Sequence, residues 1–247
     1  MIGKFLDLIW PRTCEVCGRP VDRPGRHLCS DCVMRLPFVP TDGLCRKCGR
    51  DAVGLDGEYL CDDCRQHRPH FDRAASVFRF EGEARELVNA FKFREKLYLR
   101  DDLVDFLEAA VRARFRVDEI ACVMPIPSTL THRLLRGYNQ CAILAQALAK
   151  RLGKPYRPLL RRVGHPEKQG GLDEAARREN VIDTFAVPRC VLARGVTKPH
   201  SSFSTSPVLV LDDIMTTGST LSEAARTLKA AGVETVWTVS LARSIRL

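Results

Sequence analysis

The sequence predicts an α/β domain, with a mostly parallel sheet flanked by helices, preceded by a small cysteine-rich double zinc ribbon. Three observations predict this arrangement. Eight of the eleven cysteines form four CxxC pairs near the start of the chain. From residue 71 onward, segments with strand-like alternation are mixed with segments of helical spacing. The end of the chain has the order strand, loop, helix, strand, which is a parallel βαβ unit. We therefore expect two units, residues 1–70 and residues 71–247.

The composition favours a globular protein over a membrane protein. Of the 247 residues, 45% are hydrophobic, which is enough for a buried core in one or two domains. No segment approaches the ~20 continuous apolar residues that a membrane-spanning helix needs. Residues 1–11 have an apolar helical face, but Asp7 interrupts it and the segment is too short for a secretory signal. We expect a short docking helix there, in a cytoplasmic protein with no membrane insertion.

The positive charge lies mostly in the second unit. The formal net charge is +9. Residues 1–70 contain 11 Lys and Arg against 10 Asp and Glu, whereas residues 71–247 contain 28 against 20. A basic surface favours polyanionic ligands such as polyphosphates, sugar phosphates or nucleic acid. Charge alone does not choose among these three classes of ligand.

The four CxxC pairs have the composition and spacing of zinc sites. Spacers of 11, 12 and 12 residues separate the pairs, which are Cys14 and Cys17, Cys29 and Cys32, Cys45 and Cys48, and Cys61 and Cys64. Each CxxC forms a tight knuckle whose two thiolates can bind one ion, and two knuckles complete the tetrahedral shell that zinc prefers. Disulfides are the competing interpretation, and a chain without an export signal disfavours them. We therefore predict two structural zinc ions.

The knuckles can pair in two ways. In sequential pairing the first two knuckles bind one ion and the last two bind the other. In interleaved, cross-braced pairing the first knuckle joins the third and the second joins the fourth. Gly18 and Gly49 directly follow the first and third knuckles, so CEVCGR and CRKCGR look like openings of one repeated unit, which favours sequential pairing. The remaining cysteines lie in apolar contexts and are predicted to be core residues: Cys122, Cys141 and Cys190.

The second unit alternates strands with helices. We predict strands where short apolar runs are bounded by turn residues, at residues 74–80, 120–127, 207–213 and 233–242. We predict helices where apolar residues recur at helical spacing, at residues 83–93, 101–114, 138–153 and 219–232. Gly153 and Gly232 are the expected ends of two of these helices. In such sheets, ligands bind beyond the carboxyl ends of the strands.

The segment VLVLDDIMTTGST, residues 208–220, places two carboxylates and a hydroxyl-rich turn at the carboxyl end of a predicted strand. Asp212 and Asp213 can accept hydrogen bonds from the vicinal hydroxyls of a ribose and can help to order a magnesium ion. The turn leads into a helix, whose first N–H groups have no internal partner and attract a phosphate. Gly218 lets the backbone approach this phosphate, and no lysine follows it, so the segment is not a Walker loop. The motif therefore predicts a site for a sugar phosphate.

This segment resembles the signature of type I phosphoribosyltransferases, which bind phosphoribosyl pyrophosphate (PRPP) with magnesium. Within that superfamily, the chain resembles the ComF family, competence-associated phosphoribosyltransferase-like proteins with an N-terminal double zinc ribbon. The cysteine-rich front and two further segments carry this resemblance, RGYNQCAILAQALAKRLG at residues 136–153 and KQGGLDEAARRENVIDTF at residues 168–185. Residues 190–207 form a longer link than the family's usual one and are rich in Ser, Thr and Pro, like a surface loop. The resemblance implies a type I phosphoribosyltransferase-like fold.

The resemblance also implies roles for individual residues. Asp212 and Asp213 would contact the ribose hydroxyls of PRPP. The 5′-phosphate would be held by the turn and the helix start, at Thr216, Thr217, Gly218, Ser219 and Thr220. The pyrophosphate would meet the loop after an earlier strand, where the candidate contacts are Arg133 and Arg136. Two segments match those of the family, the first through Arg136, Gly137, Asn139 and Gln140, and the second, which has no assigned role, through Gln169, Arg177 and Asn180.

Two functions follow from these expectations. The first is a magnesium-dependent phosphoribosyltransferase that uses PRPP, or binds a related ribose 5-phosphate, and transfers the phosphoribosyl group to an unidentified nitrogen acceptor. The second is a non-catalytic PRPP-binding adaptor that contacts single-stranded DNA or a DNA-uptake helicase through its zinc ribbons and basic surface. The resemblance implies a link to competence and DNA uptake, which favours the second function as the biological role and leaves the first as the molecular activity.

Overall fold

A computed structural model of the chain describes residues 12–51, 57, 59–94, 96–129, 137–163, 183–193 and 206–244. Some features expected from the sequence lie outside these residues. They are the N-terminal docking helix, the candidate pyrophosphate contacts Arg133 and Arg136, most of the second family segment with Gln169, Arg177 and Asn180, and most of the link at residues 190–207. Within the described residues, no helix combines the length and the apolar character needed to cross a membrane.

The strands form one main sheet and one small one. They are β1 (Arg73–Arg79), β2 (Cys122–Pro125), β3 (Arg161–Arg162), β4 (Phe185–Ala186), β5 (Val208–Met215) and β6 (Val236–Arg243). The main sheet has the order β1, β6, β5, β2, and all of its neighbouring strands are parallel. The short strands β3 and β4 pair with each other in antiparallel orientation. The mostly parallel sheet predicted from the terminal βαβ unit is confirmed.

The helices flank this sheet. They are α1 (Ser30–Arg35), α2 (Asp62–His67), α3 (Gly82–Phe93), α4 (Arg100–Arg114), α5 (Gln140–Leu152), α6 (Arg189–Ala193) and α7 (Ser219–Ala230). The four long helices, α3, α4, α5 and α7, agree closely with the predicted ranges. Helix α5 begins after Asn139, whose side chain accepts the N–H of Cys141, and ends at Gly153 with a left-handed φ of 66°. Gly153 is thus the helix end that the sequence predicts.

The central strands are buried on both faces, as expected for a parallel sheet covered by helices on each side. On β5, Val208 and Val210 belong to the core that contains α7. Leu209 and Leu211 belong to the opposite core, which contains α3, α4 and α5. The near-continuous apolar run before Asp212 is explained by this double burial.

The two zinc ribbons lie on opposite faces of the sheet. We refer to residues 14–32 as the first ribbon and residues 45–64 as the second ribbon. Cysteines of the first ribbon pack into the core with α3, α4 and α5, and those of the second ribbon pack into the core with α7. Between them, residues 37–39 follow the edge of β1, where Val39 N–H donates to Val77 O at 2.9 Å and Arg79 N–H donates to Pro37 O at 2.8 Å. This segment covers an edge that would otherwise expose unpaired backbone groups.

Polar contacts also anchor each ribbon to the α/β domain. In the first ribbon, His27 N–H donates to Asp102 at 3.0 Å, and the Asp102 side chain is fully buried at the start of α4. In the second ribbon, Arg114 donates to Cys45 O at 3.0 Å and Arg243 donates to Cys48 O at 2.7 Å. These arginines bind carbonyl groups of the knuckles themselves. The ribbons therefore share both the cores and the buried hydrogen bonds of the α/β domain.

The three unpaired cysteines do not all occupy the core. Cys122 and Cys141 are buried, as predicted, but Cys190 is exposed, so the prediction for Cys190 is wrong. Cys190 lies on α6, which is only five residues long. Its neighbour Val191 packs against the core instead, because such a short helix presents only one side to the core.

Candidate functional site

Asp212 and Asp213 lie in the last half of β5, at the carboxyl end of the sheet. Asp212 accepts the N–H of Asp213 at 2.9 Å, and Asp213 accepts the N–H of Ile214 at 2.7 Å. Each carboxylate is therefore oriented by the backbone that follows it. Leu211 and Ile214 both pack against the core that contains α3, α4 and α5, so the regular alternation of the strand is broken between them. This break falls at the two carboxylates.

Lys92, at the end of α3, pairs with this carboxylate site. Its Nζ lies 2.6 Å from an Asp213 carboxylate oxygen. Burial acts to lower the pKa of Lys92, but the charges of Asp213 and Asp212 outweigh burial, so the net shift raises this pKa. Lys92 is therefore held as a cation beside the carboxylates. No signal in the sequence singles it out, because it is one of two basic residues on a helix far away in the chain.

Cys141 contacts the other carboxylate. Its Sγ lies 3.7 Å from Asp212 Oδ1. Burial, assisted by the charges of Asp213 and Asp212, raises the pKa of Cys141 well above its usual value, so the thiol stays protonated. Burial also raises the pKa of Asp212 to about 7; the charge of Asp213 adds to this shift, and Lys92 opposes it. Asp212 is thus a carboxyl group whose charge is costly until a ligand or a cation reaches it.

Three consecutive residues at the start of α5 assemble this site. Asn139 donates to Ile126 O, just after β2, at 3.0 Å. Gln140 donates to Lys92 O at 3.0 Å, and Cys141 contacts Asp212. Asn139 and Gln140 thus connect two elements of the site, which gives these matched family residues a positioning role.

The turn after β5 has the geometry of an anion site. Gly218 has a φ of 79°, and a Cβ atom built on it would lie 2.8 Å from Met215 Cε, so a side chain would be both strained and crowded. The hydroxyl oxygens of Thr217 and Ser219 lie 2.5 Å apart. Helix α7 starts at Ser219, and the N–H groups of its first turn lack intrahelical partners. Hydroxyl groups and N–H groups therefore converge where the sequence predicts a phosphate.

Two donors lie near the end of β2, on the side expected for the pyrophosphate. The Arg162 guanidinium on β3 stacks 5.4 Å from the Phe185 ring centre, and burial lowers its pKa. In the described part of the chain, Arg162 Nε and Ser128 Oγ are buried without a hydrogen-bond partner. Buried donors without partners are rare, because each costs desolvation energy. The sequence predicts pyrophosphate contacts at Arg133 and Arg136 instead, and it gives no signal for these two donors.

The eight ribbon cysteines converge in two groups, in sequential order. In each group the four Sγ atoms lie within 4.8 Å of one another, and the groups are Cys14, Cys17, Cys29, Cys32 and Cys45, Cys48, Cys61, Cys64. Sγ atoms from the two knuckles of each group lie 3.7 Å apart, both for Cys17 and Cys29 and for Cys48 and Cys61. Tetrahedral zinc with Zn–S bonds of about 2.3 Å places its sulfurs about 3.8 Å apart. Both groups therefore fit a zinc ion.

Two known protein families match separate parts of the chain. The family described as double zinc ribbon domain matches residues 5–65, and the family described as phosphoribosyl transferase domain matches residues 139–246. Competence protein F of Haemophilus influenzae is 29% identical over 238 residues, which cover 94% of this chain and 96% of that protein.

Two further relatives are similar over most of their length. The DNA utilization protein YhgH of Salmonella typhimurium is 26% identical over 239 residues, covering 95% of this chain and 98% of that protein. Competence protein ComFC of Bacillus subtilis is 24% identical over 219 residues, covering 85% of this chain and 81% of that protein. The alignments with the first two relatives cover nearly the whole of this chain.

Proposed function

We propose, from the premise that this chain belongs to the ComF family of competence-associated phosphoribosyltransferase-like proteins, that it binds PRPP together with magnesium. We further propose that it transfers the phosphoribosyl group to a nitrogen acceptor in the handling of DNA taken up by the cell. Reduced zinc-thiolate sites suit the cytoplasm, where we place the protein.

One observation carries this proposal. Two oriented carboxylates stand at the end of a parallel strand, directly before a hydroxyl-rich turn that opens a helix of twelve residues. Asp212 and Asp213 would accept hydrogen bonds from the vicinal ribose hydroxyls, and the turn from Thr216 to Thr220 would bind the 5′-phosphate. This spacing supports a ribose 5-phosphate better than a free phosphate, because a free phosphate would leave the carboxylates without a function.

The other half of PRPP requires donors and a metal ion. Close to the end of β2, Ser128 Oγ and Arg162 Nε have no described partner, while Arg162 Nη1 donates to Pro127 O at 3.5 Å. The two donors without a partner support a pyrophosphate site there. The donor set Cys141, Asp212, Asp213 contains only two hard oxygen ligands, and Lys92 already pairs with one of them. Such a set fits magnesium that arrives with the ligand rather than a resident ion, because magnesium prefers oxygen ligands and retains several waters.

The chemistry is a substitution at C1 of the ribose. The bond from C1 to the pyrophosphate oxygen breaks, and a bond from C1 to the acceptor nitrogen forms, with the pyrophosphate as leaving group. Arg162 stabilises the charge that develops on this group, and the carboxylates orient the ribose. Magnesium, when bound with PRPP, adds further charge neutralisation at the pyrophosphate.

Calorimetric titration with PRPP in the presence of magnesium tests the binding proposal. We expect saturable binding at one site per chain, and tighter binding of PRPP than of ribose 5-phosphate because of the pyrophosphate contacts. Incubation with PRPP, magnesium and a panel of bases and amines, followed by a pyrophosphate assay, then tests transfer. Tight binding without pyrophosphate release from any acceptor contradicts the transferase and favours a PRPP-binding adaptor.

A separate observation favours nucleic acid as a second ligand. A groove of about 700 Å³ lies between the second ribbon and the residues that follow it, and five basic residues line it, Arg46, Lys47, Arg65, Arg68 and Arg73. Its one carboxylate, Asp72, is already paired with Lys229 at 2.7 Å. We refer to this surface as the basic groove. Arg65 also pairs with Asp62 at 3.2 Å. A groove with five basic residues and one carboxylate in its lining fits the phosphate backbone of single-stranded DNA, and it supports a role of the second ribbon in contacting DNA.

Salt dependence tests this groove. We expect the affinity for a single-stranded oligonucleotide to fall steeply as salt rises, and the slope of log K against log salt to decrease by about 0.7 for each phosphate that a variant no longer neutralises. The test variants are Arg46→Gln, Lys47→Gln and Arg68→Gln, measured by fluorescence anisotropy. Arg112→Gln, which removes an exposed arginine of α4, is the control. Equal slopes for the groove variants and the unmodified chain contradict DNA binding at this surface.

A further inference from the structure

A cavity of about 450 Å³ lies between the second ribbon and the turn that begins α7. Arg50 and His67 line it from the ribbon side, and Thr216, Thr217 and Ser219 line it from the side of the turn. Its size is that of a small-molecule site. Among the described residues, the lining does not include Asp212 or Asp213. Only the phosphate end of a ribose 5-phosphate held by those carboxylates would therefore reach this cavity.

The two walls of the cavity are fixed to each other. His70 N–H donates to the Ser222 hydroxyl on α7 at 3.0 Å. Arg243, at the end of β6, donates to Cys48 O of the second ribbon at 2.7 Å, and the next residue, Ser244, donates to Met215 O at 2.9 Å. The ribbon and the turn are thus joined through β6 and α7. The cavity is a built feature of the fold and not a gap between two loosely associated modules.

The charges around the cavity show which groups remain available to a ligand. Glu223 and Asp183 are both engaged by Arg226, at 2.8 Å and 2.5 Å. Asp63 lies 3.5 Å from Arg50 and 3.6 Å from His67, which is longer than a hydrogen bond. Asp63 therefore holds the Arg50 and His67 side chains at the cavity wall, but it does not fully occupy their N–H groups as hydrogen-bond donors.

The negative charge of the second zinc site makes the positive charge of Arg50 important for binding an anion in this cavity. A zinc ion bound by four thiolates has a net charge of about −2, and such a wall would repel a phosphate. Two of these cysteines, Cys48 and Cys64, line the cavity. Arg50 and Arg243 line it beside them and offset this charge. Without Arg50 the ribbon wall would oppose an anion rather than attract it.

We propose that the second zinc ribbon forms one wall of the 5′-phosphate site, with Arg50 and His67 contacting a phosphate monoester that is held from the other side by residues 216–219. This inference rests on the proposed function and adds to it a ligand contact from outside the α/β domain. The second zinc ion is then needed for ligand binding as well as for folding, because it fixes the knuckle that carries Arg50.

The test compares equivalent arginines of the two ribbons. Arg50 follows Cys48 and Gly49 in the second ribbon, as Arg19 follows Cys17 and Gly18 in the first. Arg19 is 58% exposed and pairs with Asp31 at 2.9 Å. Calorimetry with ribose 5-phosphate as the probe is applied to the Arg50→Gln, His67→Gln and Arg19→Gln variants. Zinc content and melting temperature are measured for each, so that a misfolded ribbon is recognised.

We expect Arg50→Gln to weaken ribose 5-phosphate binding about tenfold, because a charge-assisted hydrogen bond is removed. His67→Gln should weaken it less, Arg50→Lys should restore part of the affinity, and Arg19→Gln should not change it. Unchanged affinity of Arg50→Gln, in a protein that still requires Asp212, refutes the ribbon wall and leaves the proposed function intact. A chain that binds neither ribose 5-phosphate nor PRPP refutes both.

Discussion

Replacing Asp212 and Asp213 together by asparagine should abolish PRPP binding. Each replacement removes charge-assisted hydrogen bonds to a ribose hydroxyl, worth about 1.5–3 kcal/mol, so each single variant should lose roughly 10- to 100-fold in affinity. The loss should be largest for ligands with both ribose hydroxyls. Titration of PRPP into the two single variants and the double variant measures it, with Asp118→Asn, an exposed carboxylate far from the site, as the control. Unchanged affinity of the double variant would falsify the site assignment.

The two single variants should differ in stability. Asp212→Asn removes a buried charge whose pKa is raised, so it should stabilise the chain without ligand at neutral pH. Asp213→Asn leaves Lys92 without its partner, and it should destabilise the chain. This cost should be smaller than the ~3–5 kcal/mol for breaking a fully buried pair, because part of Lys92 is solvent-exposed. If both carboxylates served only to stabilise the fold, the two replacements would not change the stability in opposite directions.

The stabilisation by Asp212→Asn should depend on pH. The pKa of Asp212 is raised to about 7 from the ordinary value of 3.8, so the folded chain holds a proton that the unfolded chain releases. The native stability contributed by this group therefore falls as pH rises from about 4 to 7. The advantage of the asparagine variant should be absent near pH 4, grow through this range and stay constant above it. Thermal denaturation at several pH values measures the difference, and an advantage that is independent of pH contradicts the assignment.

Loss of one zinc ligand should destabilise the whole chain and not only one ribbon. In Cys61→Ser the second zinc site keeps three thiols, and we expect the bound zinc to fall from two ions per chain to one. The cysteines of the second ribbon pack in the same core as α7 and β5. The free energy of unfolding should therefore fall by at least about 3 kcal/mol, which corresponds to a decrease in melting temperature of about 6–12 °C.

Metal analysis and thermal denaturation test this prediction. Cys190→Ser is the matched control, because Cys190 is exposed and is not in either group of four thiols. It should keep two zinc ions and an unchanged melting temperature. If metal analysis of the unmodified, folded chain finds no zinc or only one zinc ion, the prediction of two zinc sites is wrong. A Cys61→Ser variant with one zinc ion and full stability would show that the ribbon folds independently of the sheet.

Much of the fold could be predicted from the sequence, because its signals are local. Apolar runs and helical spacing located the four main strands and four long helices, and Gly153 marked a helix end through its own conformational freedom. The repeated CxxC spacing predicted both zinc groups. The short elements gave no such signal: β3 and β4 contain two residues each, and α6 contains five. The error at Cys190 arose there, since periodicity cannot be read from one helical turn.

The functional site could be predicted only in part, because it combines distant segments. The motif at residues 208–220 is contiguous and could be recognised directly. Lys92 reaches Asp213 across 121 positions of the chain, and Cys141 reaches Asp212 across 71. Nothing near Lys92 in the sequence distinguishes it from other lysines on amphipathic helices. Asn139 and Gln140 could be matched to a family segment, but their positioning role requires the packing of α5 against β2 and α3.

The path of residues 37–39 along β1 has a consequence for the order in which the chain folds. Among the described strands, β1 pairs in the main sheet only with β6, where Arg73 lies beside Trp237. During synthesis β1 must therefore wait for almost the whole chain before its sheet neighbour exists. The ribbons and the segment between them precede β1 and are made first. With zinc bound, they are available to cover one edge of β1, through the hydrogen bonds of residues 37–39, before β6 leaves the ribosome.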